Sequence, residues 1–196
     1  MYVGATGSGK STALKAAIAL PFDGWTLIVD PDGEYHRFGL RCASLAELVR
    51  QVQGPRGTLI YVPSLDRAVA IQQFSFLCAL AWRIAERGRR VRFVVDELSE
   101  FTTATEAPHA WRRLVKRGRK AGVSVYAAAQ RPAEIDKTIW SNASLVRAGR
   151  LSFAADQVVI AAALDVDVDQ VRALGQLDYL ERDRNSGQLV KGRLTF

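Results

Sequence analysis

The sequence predicts an α/β fold with a mainly parallel central sheet flanked by helices, and three observations point to it. Short apolar runs rich in Val, Ile and Tyr alternate with longer segments of helical period through residue 163. The runs are mostly apolar and read as strands buried in a parallel sheet. Near the end, two segments around Asn185-Ser186-Gly187 read as an antiparallel hairpin.

In chain order, strands are expected at 1–4, 25–30, 58–62, 91–96, 123–128 and 144–149. Helices are expected at 10–20, 44–53, 66–87, 107–121 and 153–163, where apolar residues recur every three or four positions. Asp167 and Gln170 resemble a capping box opening a short helix to about Leu174. Hairpin strands follow at 178–183 and 188–195. No repeat or linker interrupts the pattern, so residues 1–196 are expected to form a single domain.

Hydrophobic residues make up 48% of the 196 positions and charged residues 24%, which excludes extensive disorder. The formal net charge of +7 favours a polyanionic partner. No apolar run approaches the roughly 18 residues of a membrane helix, so no membrane segment is expected. Cys42 and Cys78 match no metal or redox spacing and read as core residues of a cytoplasmic protein.

Residues 4–11 read GATGSGKS, a complete G-x-x-x-x-G-K-[ST] motif between a strand start and a helical pattern. The backbone of Gly4, Ala5, Thr6, Gly7, Ser8 and Gly9 can wrap a phosphate chain, because glycine tolerates the required turns. Lys10, Ser11 and Thr12 open the helix beneath it, whose amino terminus favours anions. Lys10 would reach the β- and γ-phosphates of ATP, and Ser11 would offer its hydroxyl to Mg²⁺. Residues 93–97, FVVDE, form a strand ending in two acids. Asp96 suits the Mg²⁺ shell and Glu97 suits activation of a water. A third strand, 123–128, leads to Gln130, whose amide could touch the γ-phosphate or that water. The gap from Lys10 to Asp96 has room for two further strands, which fits the additional-strand (ASCE), RecA-like class of P-loop folds, in which another strand separates the two motif strands.

Four stretches together resemble the FtsK–HerA superfamily of DNA-pumping ATPases: GATGSGKST at 4–12, VDPDGEY at 29–35, FVVDE at 93–97 and GRKAGVSVYAAAQRPAEID at 118–136. The chain is most similar to the small genome-packaging ATPases of tailless, membrane-containing icosahedral viruses. The resemblance implies ATP and Mg²⁺ as cofactors and Lys10, Asp96, Glu97 and Gln130 as catalytic residues. It places Asp30 and Glu34 near the phosphates. It makes Arg119, with Arg117 as runner-up, an arginine finger acting in a neighbouring subunit of a ring, expected to be a hexamer. It further implies double-stranded DNA as a partner and an association with a capsid vertex or viral membrane protein.

Two basic segments, 83–92 and 112–120, are candidate phosphate contacts, with Arg112, Arg113, Lys116 and Arg117 foremost. No base-reading motif accompanies them, so no sequence specificity is expected. The polar loop 99–109 is a candidate pore lining. The alternatives are a cellular or conjugative DNA pump and, in another class, a small-molecule P-loop kinase; Glu97, beside Asp96, disfavours the kinase.

Overall fold

The computed structural model describes residues 1–195. The strands are β1 (Tyr2–Val3), β2 (Trp25–Val29), β3 (Leu40–Cys42), β4 (Gly57–Tyr61), β5 (Val91–Val95), β6 (Val123–Ala129), β7 (Leu145–Gly149), β8 (Asp178–Asp183) and β9 (Leu189–Arg193). The helices are α1 (Lys10–Ala19), α2 (Leu45–Gln51), α3 (Arg67–Glu86), α4 (His109–Ala121), α5 (Thr138–Asn142), α6 (Ala154–Leu164) and α7 (Val168–Arg172). One nine-stranded sheet runs in the order β3-β4-β2-β5-β6-β1-β7-β8-β9. Pairing is parallel up to β7, and β8 and β9 add the expected antiparallel hairpin.

β6 does separate β1 from β5, but it follows both in the chain. The chain between the motif strands holds the two expected strands, β2 and β4, and an unexpected β3 on the sheet edge. α5 was also not anticipated. Both are too short to show a period. β1 has two residues, yet it is paired on both sides. Tyr2 and Val3 pair with Ala128 and Ala129 on one side and with Arg147 and Ala148 on the other.

The two sheet faces are covered unequally. Helices α2 through α7 all contribute to the apolar cluster on one face. On the other, α1 is the sole helix among the described residues, joined by Tyr35 and Phe38 from the loop after β2. At the centre of the larger cluster, Phe74 of α3 stacks on Phe101 at 4.5 Å and tilts against Trp111 of α4 at 5.4 Å. This fixes the loop after β5: Phe101 and Thr102 are core residues, so only the remainder of 99–109 is open to solvent.

α3 corrects an expectation. By length and composition it could cross a membrane, with a mean hydropathy of 1.4 over 18 residues. Counting uninterrupted apolar runs overlooked it, because polar residues interrupt the helix. It packs Ala70, Phe74, Leu77, Cys78, Ala81, Ile84 and Ala85 into the core, while Val69 and Phe76 are exposed.

The capping box also lies elsewhere. Asp167 caps α7 through the Asp169 amide alone. At α2, Ser44 accepts from the Glu47 amide, and the Glu47 side chain reaches back to the amide of Ala43, one residue before the cap. Cys42 and Cys78 are free and buried, and burial pushes both thiols up.

Candidate nucleotide site

The site forms where β1, β5 and β6 end side by side. Gly7 and Gly9 take φ of 75° and 85°, which a side chain would oppose. Gly9 is the amino-terminal cap of α1 and supplies no side-chain bond, so the first-turn amides stay open to an anion. Ser8 is buried against Gly149 of β7, where a Cβ would come within 3.0 Å of the Ser8 Cβ. Nothing in the strand pattern marks Gly149; this close approach explains it.

Lys10 Nζ lies 3.6 Å from Glu97 Oε2 and 4.0 Å from Asp96 Oδ1. Glu97 begins the turn after β5 at φ 57°, in the left-handed region. Its Oε1 accepts from the Gln130 backbone amide at 3.2 Å and from the Ser99 hydroxyl. The Gln130 side chain accepts from the Thr6 hydroxyl at 3.1 Å. A chain of contacts thus joins phosphate loop, acid pair and third strand. The structure brings Lys10, Asp96, Glu97 and Gln130 together.

Residues 30–35 form a loop tied to the acid pair. The Asp30 carboxylate accepts from the amides of Glu34 and Tyr35 at 3.0 and 2.9 Å, so it shapes the loop that carries Tyr35. Burial raises its pKa against those bonds. Glu34 pairs with Lys15 of α1 at 2.6 Å, and that lysine lowers its pKa. Tyr35 carries the link to the site: it is buried, and its hydroxyl donates to Asp96 Oδ2 at 2.7 Å. Burial, then the adjacent Asp96 charge, push its phenol far above the usual value, so it remains a donor. Sequence reading named its neighbours and missed Tyr35, because the contact spans 61 residues of chain.

The donor set fits Mg²⁺. Asp96 Oδ1 and Glu97 Oε2 are buried without hydrogen-bond partners. A hydroxyl (Ser11) with a carboxylate (Asp96) suits a hard cation that takes its other ligands from water and phosphate. Among the described residues, no cluster of three or more His, Cys, Asp or Glu could hold an ion unaided.

Arg119 is not in this site. α4 runs back from the site edge, and Arg119 lies near its far end, exposed in a cleft of about 730 Å³ at the opposite edge of the sheet. Trp111, Val115 and Arg119 are spaced four apart along one side of α4; Trp111 is buried and Val115 half-buried, but Arg119 is exposed. The basic segments also divide. Arg89 donates to the carbonyls of Val52, Gly54 and Pro55, and Arg92 is buried on those of Ile18 and Leu20, so both are structural. Arg112 bonds Thr105 O and faces Asp136 at 3.5 Å, while Arg113 stacks on Trp82 and faces Glu86. Lys116 and Arg117 are exposed and form no ion pair among the described residues.

No protein-family model matches the chain. Protein P9 of Pseudoalteromonas phage PM2 is 30% identical over 178 residues, spanning 89% of this chain and 78% of P9. The chain belongs to the P9 family. The genome packaging NTPase B204 of Sulfolobus turreted icosahedral virus 2, in complex with ATP-γS, overlays this P9 relative with a TM-score of 0.81 at 18% identity, covering 99% of this chain and 96% of that one. The pCW3 conjugation coupling protein TcpA, with ATPγS, matches at a TM-score of 0.59 and 17% identity, covering 98% of this chain and 58% of that one. These solved structures show the P9 family member to have the fold of P-loop ATPases that bind ATP analogues.

Proposed function

We propose that this chain hydrolyses ATP to move double-stranded DNA without sequence specificity, packaging a viral genome into a preformed capsid from the host cytoplasm. The observation that carries this reading is the assembly of Lys10, Asp96 and Glu97 within 4.0 Å, in a chain that overlays nearly all of a viral packaging NTPase. Lys10 neutralises charge on the β- and γ-phosphates. Ser11 and Asp96 hold Mg²⁺, which supplies further positive charge to the phosphates. The Glu97 carboxylate accepts a proton from the attacking water, and its bond from the Gln130 amide fixes its direction. Gln130, bonded to Thr6, reports the state of the phosphate loop.

Arg119 completes the site of a neighbouring copy. A helix of 13 residues spans about 20 Å, so this arginine cannot reach its own phosphate loop. The functional unit is therefore a ring, a hexamer in this reading, docked at a capsid vertex or on a viral membrane protein. Lys116 and Arg117 are the DNA-phosphate contacts left after Arg112 and Arg113 are engaged within the chain. The likeness to TcpA supports a second reading, a conjugative or cellular DNA pump.

The deciding experiment is ATP hydrolysis with and without double-stranded DNA across a salt series. Stimulation by DNA that fades with salt is expected. A monomer that transfers phosphate to a metabolite and ignores DNA would overturn the reading in favour of a kinase.

A further inference from the structure

We infer that Leu177 and Leu194 form the seat of the nucleobase, a contact outside every motif in the sequence. The inference rests on the reading of residues 4–12 as a nucleotide cradle.

The direction of a bound triphosphate follows from the loop's neighbours. Lys10, close to Asp96 and Glu97, marks the β5 side as the end for the terminal phosphate. Moving across the sheet edge, Ser8 rests on Gly149 of β7. Gly9 lies against Leu194 and Leu177, and a Cβ at Gly9 would collide with Leu194 Cδ1. A triphosphate whose last phosphate meets Lys10 therefore carries its sugar and base toward the open end of the β8–β9 hairpin.

Two aliphatic side chains stand there. Leu177 precedes β8 and Leu194 follows β9, and the Leu194 amide donates to the Leu177 carbonyl at 2.9 Å. Both are half-exposed. The nearby polar groups serve each other: Asp178 accepts from the Gly175 amide at 3.1 Å and faces Arg193 at 3.5 Å. Leu177 holds φ at 66°, a conformation that glycine adopts freely and a bulky residue does not. A leucine kept in that place has a side chain with a task. Aliphatic groups meet the face of a heterocycle through dispersion and apolar burial, and carry no donor or acceptor to read its edge. Their contribution is thus the same for different bases.

The test is equilibrium binding of ATP, GTP and inorganic tripolyphosphate, each with Mg²⁺, to the unaltered chain and to Leu177→Gly and Leu194→Ala. Leu177→Gly removes the contact while relieving the left-handed backbone, so the fold is not put at risk. Both variants are expected to weaken ATP and GTP alike, by about tenfold, and to leave tripolyphosphate unchanged. Nucleoside triphosphate affinities equal to those of the unaltered chain would overturn the inference. So would an equal loss for tripolyphosphate, which would make the leucines braces for the loop, or a loss confined to one base. If the unaltered chain binds neither ATP nor tripolyphosphate, the cradle reading itself fails, an outcome distinct from binding that the variants leave untouched.

Discussion

At the edge where β1, β5 and β6 end, the polar side chains are threaded into one network, from Thr6 through Gln130 to Glu97, Lys10, Asp96 and Tyr35. At the opposite edge, Arg119 and Lys120 face an open cleft. The first edge sets two acids within 4.0 Å of one lysine. The second has an exposed guanidinium beyond reach of its own network. The difference teaches that one edge holds a closed polar network and the other an open basic surface, and in the function proposed above the second edge of one copy completes the first edge of the next.

The sharpest way to break this comparison is Arg119→Ala. Turnover is expected to fall by about 10³-fold or more. Mixing with a Lys10→Ala protein should restore part of it, because each mutant supplies what the other lacks. Activity that no mixing ratio rescues would place the two edges in unrelated roles. Glu97→Gln comes next: hydrolysis should drop by about 10²–10⁴-fold while nucleotide binding, measured by titration, persists. Gly149→Val tests the packing under the loop. Its side chain would meet Ser8, and thermal melting should show a loss of about 1–3 kcal/mol together with weaker nucleotide binding. The smallest expected effect is Tyr35→Phe, which leaves Asp96 Oδ2 without its donor. A loss of about 1 kcal/mol in stability and a reduced kcat are expected, measured by melting and steady-state kinetics.

The parts of the site legible in the sequence are those written in adjacent residues. GATGSGKS, FVVDE and the strand leading to Gln130 each combine a strand with the polar residue at its tip, and the structure sets those tips together. What escaped depends on contacts distant in sequence. Gly149 reads as an ordinary strand end until Ser8 lies on it. Tyr35 reads as core until its hydroxyl meets Asp96. Charge counting made Arg89 and Arg92 look available for DNA, because it cannot see the backbone carbonyls that hold them. The two loop amides that Asp30 accepts from could not be read from its position at a strand end. β3 and α5 have too few residues for any period to appear.

The brevity of β1 has a mechanical consequence. A strand of two residues linked to β6 on one side and β7 on the other is loaded along its length whenever the phosphate loop is pulled. In that geometry both rows of hydrogen bonds resist together, in shear, rather than parting one at a time as a peeled edge would. The loop that would grip the fuel is thereby riveted to both halves of the sheet, so a tug at its tip is shared by strands on either side before any single bond gives way.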